Sequence, residues 1–161
     1  MEVIPQLSFS EAFNSATSKI FQFTGRSRRS EYWWTMALVY LVNIILTPFL
    51  GVFLSIATIP LTFRRLHDTG RSGWWWGVGA IMQVAFIVSL VYDAFMAGIH
   101  ANDLRGYEDD FAFTLIAKYF IWLVVIGIYK IVLLVFMCLD SDQYENEYGE
   151  SPKYIDSEEQ A

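Results

Sequence analysis

One cysteine, Cys138, in 161 residues excludes an internal disulfide, and two well-separated histidines, His67 and His100, supply no Cys/His metal framework. The chain has no Cys-x-x-Cys and no Gly-x-Ser-x-Gly. Gly70-Arg-Ser-Gly73 is not a phosphate-binding loop, and Asp140-x-Asp142 lacks the sixth-position glycine of a calcium loop. No metal or cofactor is expected. Charge is also scarce, at 17 % of residues, and the formal net charge of -6 opposes nucleic-acid binding. The N-terminus lacks a basic start followed by a continuous apolar core, so no cleavable signal is read.

What fills the chain is apolar: 55 % of residues are hydrophobic and 17 % aromatic, which makes a membrane protein the first reading. The few charges are segregated. Basic residues gather in two short segments, Arg26, Arg28 and Arg29, then Arg64, Arg65 and Arg71. Acidic residues gather in a loop near Asp103 to Asp110 and in a tail from Asp140 that carries a net -7.

The chain is organised around Phe63 to Gly77, FRRLHDTGRSGWWWG, a polar block flanked by long apolar runs. A guanidinium in hydrocarbon costs several kcal/mol and tryptophan favours the headgroup level, so this block reads as an interfacial hinge between transmembrane helices. Thr24 to Trp34 repeats its grammar: TGRS and arginines, then an aromatic pair opening an apolar helix. Four matched residues are weak evidence for a duplication; similar solutions to one local problem explain the echo better.

The pattern predicts an all-α polytopic membrane protein, a four-helix transmembrane bundle preceded by an amphipathic interfacial helix. Ser8 and Glu11 form an S-x-x-E capping box, and the apolar residues that follow predict a helix over 9–23, lying on the bilayer or packed on the protein's own spans. Residues 1–31 form this N-terminal lead-in, 32–140 the membrane domain and 141–161 an acidic, solvated tail. Residues 32–63 carry no formal charge, and Pro48 and Gly51 suggest a hairpin within them. The predicted spans are about 31–49, 50–66, 74–97 and 115–139. That topology puts both arginine segments and both termini on the cytoplasmic side, and the acidic loop outside.

The candidate binding face comprises Arg26, Arg28, Arg29, Arg64, Arg65 and Arg71 with Trp74 and Trp75, suited to the phosphates of anionic lipids or to a protein partner. Glu31 and Asp68 point to arginine–carboxylate pairs that tie the spans together, and Arg64 and Asp68, four apart on a helix, make the nearer pair. The tail is a second possible acidic partner for these arginines. His67-Asp68 invites an acid/base reading, but neighbours on a helix point about 100° apart and no nucleophile accompanies them. Asp93 and Lys118 fall near the outer ends of adjacent spans, as an ion pair would. Lys130 lies deep in the fourth span, where it lines a pathway, snorkels, or bonds Asn43 or Gln83.

Three stretches together resemble the DUF805 family of small bacterial inner-membrane proteins. They are FTGRSRRSEYW at Phe23 to Trp33, P-x-x-x-RRLHDTGRSGWW at Pro60 to Trp75, and N-x-YG-x-x-P at Asn146 to Pro152. The resemblance implies a bacterial inner-membrane location and a multi-span helical fold, without an activity. The functional expectation is a non-enzymatic protein that binds lipid or membrane-protein partners, with homo-oligomers possible. A small oligomeric channel or transporter component, and a membrane enzyme acting on lipid headgroups, are the alternatives.

Overall fold

The computed structural model describes residues 2–45, 48–99 and 108–155. Within them the chain is mostly helical: a short strand β1 (Glu2–Val3), helices α1 (Phe9–Ser18), α2 (Arg29–Ile45), α3 (Pro48–Ala57), α4 (Ile59–Asp68), α5 (Trp74–Ile99) and α6 (Glu108–Cys138), and a strand β2 (Tyr154–Ile155) antiparallel to β1. The chain divides into two units, one of 1–76 with 135–161 and the other of 77–134.

In the first unit, α1 starts at its capping box: Ser8 Oγ accepts from the Glu11 N–H at 3.4 Å, and the Ser8 N–H donates to Glu11 Oε2 at 2.8 Å. The helix stops at Ser18, short of the expected residue 23, because the chain turns there; the Gln22 N–H donates to the Lys19 carbonyl at 3.0 Å. Ala12 and Ala16 are buried as α1 packs on α2. Small side chains allow that close approach, while Phe9 meets the edge of Trp34 at 5.9 Å.

The expected span over 50–66 is replaced by two helices. Pro60 lacks an N–H and its ring opposes the carbonyl four residues earlier, so α3 ends at Ala57 and α4 begins at Ile59. Pro48 starts α3, a position that tolerates the missing donor, and Gly51 lies inside that helix instead of marking a turn. α2 packs against α3 and α4. The link at 46–47, the loop at 100–107 that includes Asp103, and the tail end at 156–161 lie outside the described residues.

α4 is the centre of the first unit. Pro60, Leu61, Thr62, Arg64, Arg65, Leu66, His67 and Asp68 are all buried. The Arg64 to Asp68 part of the polar block is therefore packed inside the protein, while Arg71, Trp74 and Trp75 beyond it stay accessible. α4 closes in a Schellman turn: the Gly70 N–H donates to the His67 carbonyl at 3.0 Å and the Arg71 N–H to the Leu66 carbonyl at 2.9 Å, with Gly70 at φ 66°.

α5 and α6, whose stretches within 77–134 form the second unit, are long and apolar enough to cross a membrane, over Trp74–Ile99 and Asp110–Cys138. Gly79 is buried where a side chain would press on Tyr129, 3.0 Å from an added Cβ. α6 begins earlier than the expected span over 115–139, while α5 matches the expected 74–97 to within two residues.

Candidate functional site: a buried arginine clasp

The first unit contains two buried clusters of paired charges among the described residues. Asp68, fully enclosed, receives Arg26 Nε at 3.1 Å, Arg65 Nη1 at 2.5 Å and Ser141 Oγ at 2.5 Å. Glu31 receives Arg64 Nη2 at 3.2 Å. Arg64 and Asp68 are thus not partners of each other, although four residues apart on one helix. Each instead reaches a group far away in sequence.

The guanidiniums also collect main-chain carbonyls. Arg64 Nη1 donates to the carbonyls of Lys19 at 2.7 Å and Gln22 at 3.3 Å, which close the end of α1. Arg65 donates to the carbonyls of Met137 and Leu139, and Arg29 Nη1 to that of Cys138 at 3.2 Å. These are the otherwise orphaned acceptors at the C-terminus of α6, where the helix dipole also favours a cation. Arg26 gathers the tail: Nη1 donates to Tyr144 at 2.8 Å and Gly149 at 3.1 Å, and Nη2 to Asp142 at 2.7 Å, all at their carbonyls.

The acidic tail is folded over 140–155, with its carboxylates exposed to solvent and Ser141 buried, and Arg26 holds it by its backbone carbonyls. Asn146 Nδ2 donates to the His67 carbonyl at 3.0 Å, and Tyr148 stacks on the His67 ring at 3.8 Å. Gly149, at φ 116°, exchanges backbone hydrogen bonds with Asn146. Sequence reasoning missed the roles of Ser141, Asn146, Tyr148 and Gly149. The N-x-YG-x-x-P stretch was the signal for the last three: its asparagine and tyrosine dock on His67 near the end of α4, and its glycine carbonyl accepts from Arg26.

His67 does not engage Asp68. Its Nδ1 pairs with the Gly25 carbonyl at 3.2 Å, which selects the tautomer with the proton on Nδ1. Burial pushes its pKa below the ordinary value, against the raising effects of Gly25 and of Glu147. Burial pushes Asp68 upward, while Ser141, Arg65 and Arg26 pull it back. Burial likewise lowers Arg64 and Arg65, against Glu31 and chiefly Asp68 respectively.

The two TGRS turns share a glycine at positive φ, Gly25 at 86° and Gly70 at 66°. Their arginines part ways: Arg26 is buried, whereas Arg71 lies over the Phe136 ring at 4.2 Å. Trp74 is 70 % exposed and Trp75 packs edge-on against Phe136 at 5.1 Å. In the second unit, Asp93 receives Lys118 Nζ at 2.5 Å and the Tyr119 hydroxyl at 2.7 Å. Lys130 is exposed and has no hydrogen-bond or ion-pair partner among the described residues. Asn43 and Gln83 donate instead to carbonyls of their own helices, Val39 and Gly79.

A model of the DUF805 family, described as "Protein of unknown function", matches residues 41–150. The chain belongs to the DUF805 family. It is 36 % identical over 84 residues to inner membrane protein YhaI of Escherichia coli K12, covering 44 % of this chain and 71 % of that one. It is 31 % identical over 93 residues to inner membrane protein YhaH of the same strain, covering 44 % of this chain and 74 % of that one. No solved structure matches the chain. The matched region of this DUF805 member contains α4, whose charges the clasp neutralises, and the tail through Glu150.

Proposed function

We propose that this chain is a non-enzymatic, multi-pass inner-membrane protein that presents a cytoplasmic arginine–tryptophan face to anionic lipid. α5 and α6 cross the bilayer as a pair. α2 and α3, at 17 and 10 residues, span roughly 26 and 15 Å at helical rise, so they enter a hydrocarbon core of roughly 30 Å as a shorter hairpin in place of two full crossings. Tyr40, Leu41, Ile44 and Ile45 on α2 and Phe53 and Ile56 on α3 are exposed, as lipid-facing side chains are. The excess of Lys and Arg in the first unit supports a cytoplasmic side for its two arginine segments and for both termini.

One observation carries the binding reading: Arg26, Arg64 and Arg65 are committed to the protein's own carboxylates and carbonyls, which leaves a different set of cations at the surface. Arg29 and Arg71 remain accessible, near exposed Trp33, Trp34, Trp74 and Trp75. Each such charge near an anionic leaflet contributes about 1 kcal/mol. Lipid extracted from protein purified in mild detergent is expected to be enriched in anionic species over the source membrane, and less so for Arg29→Gln with Arg71→Gln. Equal composition in protein and membrane would count against the reading. Orientation is checked at Tyr144, which is 69 % exposed: in Tyr144→Cys with Cys138→Ser, a membrane-impermeant thiol reagent should label only opened cells.

A further inference from the structure

A cavity of about 650 Å³ opens in the first unit between the start of α2, the chain near Gln6 and the segment that follows α6. Arg28 lines it and is only 6 % exposed. Its Nη2 donates to the Ile4 carbonyl at 3.0 Å, yet among the described residues no carboxylate stands within ion-pair reach. A buried guanidinium without a counter-charge is costly, so the position of Arg28 favours an anion. Arg29 and Lys153, also on the wall, share a single carboxylate, Asp140, at 3.6 and 2.5 Å. The lining is therefore cationic even though the chain as a whole is acidic.

One further feature suits an anion with oxygen acceptors. α2 begins at this wall, and its first internal hydrogen bond runs from the Tyr32 N–H to the Arg28 carbonyl, so the preceding N–H groups have no acceptor within the helix. The remaining wall is apolar, formed by Trp33, Trp34 and Ala37, and α2 continues from it into the exposed run that includes Tyr40, Leu41 and Ile44.

We propose that this cavity seats the phosphate of one anionic phospholipid, held by Arg28, Arg29, Lys153 and the start of α2, with its acyl chains following the apolar side chains of α2. That apolar continuation selects a lipid over free phosphate. The assignment rests on the lipid-facing reading above and sharpens it from a charged surface to one stoichiometric site.

The test is native mass spectrometry of the full chain in mild detergent, titrated with dioleoyl phosphatidylglycerol against dioleoyl phosphatidylcholine. One phosphatidylglycerol per chain should bind in preference. Arg28→Gln and Arg29→Gln should each weaken it at least about tenfold. Ala37→Trp fills the apolar wall without changing charge and should also displace the lipid, which keeps the proposal testable if Arg28→Gln fails to fold. Lys19→Gln, outside the lining, should bind as the unaltered chain does. Equal weakening by Lys19→Gln, or full displacement by inorganic phosphate, would overturn the site. Anionic enrichment without a 1:1 species would overturn the cavity but not the broader reading, and absence of any anionic preference would overturn both.

Discussion

Arg26 Nε and the Asp68 carboxylate lie 3.1 Å apart, 42 residues distant in sequence, with side chains 1 % and 0 % exposed. With Arg65 on the other oxygen, one carboxylate bridges two guanidiniums that together hold the end of α6 and the tail. The value of Asp68 is thus structural, through the partners its arginines position.

Asp68→Asn keeps the shape and removes the charge. Both guanidiniums stay buried without a counter-ion, a loss expected to destabilise the first unit by about 3–5 kcal/mol. Thermal unfolding in detergent reads it directly, and a melting temperature equal to that of the unaltered chain would contradict the clasp. Glu31→Gln should act in the same direction through Arg64.

Gly70 and Gly73 are expected to resist substitution for different reasons. At Gly70, φ is 66° and an added Cβ would meet Asp142 Oδ2 at 2.9 Å. At Gly73 the Cβ would stand 2.1 Å from the Phe63 ring, which itself packs against Phe23 at 5.2 Å. Gly73→Ala must displace that ring, at about 1–3 kcal/mol. Gly98→Ala, where nothing lies within 4 Å of the added atom, is the comparison and should melt unchanged.

Acidification should loosen the tail through His67. Its folded pKa is lowered by burial, so the unfolded chain binds the proton first. The stabilisation is present above the ordinary histidine value of about 6.5 and is lost as pH falls through the folded value. Between about pH 7.5 and 5.5 the melting temperature should fall, and His67→Gln should flatten that slope. A slope unchanged by the substitution would assign the effect elsewhere.

Removing Asn146 tests the tail's docking. Asn146→Ala loses the donor to the His67 carbonyl and to Asp142, at about 1–2 kcal/mol. Protease cleavage within 140–155 should then quicken while α5 and α6 stay protected. Unchanged cleavage would mean that Arg26 and Ser141 suffice to hold the segment.

Much of the helical order was readable from local pattern. The Ser8/Glu11 box started α1, and α5 matched because a run of apolar residues opened by three tryptophans needs no distant partner to be legible. Pro60 was visible but passed over, and its missing N–H divided the expected second span. The arginine block was read from polarity alone as a waterline segment. Polarity says that water or a partner is required, not which, and the partners proved to be Glu31, Asp68, Ser141 and the carbonyls of the tail.

Composition and spacing alone located the two long apolar helices, as two of four expected spans, and the three stretches that carry the family likeness. These follow from hydrophobicity and order along the chain, which are local quantities. Only the tertiary structure decided which carboxylates Arg26, Arg64 and Arg65 face, that the acidic tail is held by its carbonyls, and that Arg28 is buried without a counter-ion among the described residues. Those outcomes depend on groups 24 to 123 residues apart meeting in one interior, where desolvation makes every unpaired charge count.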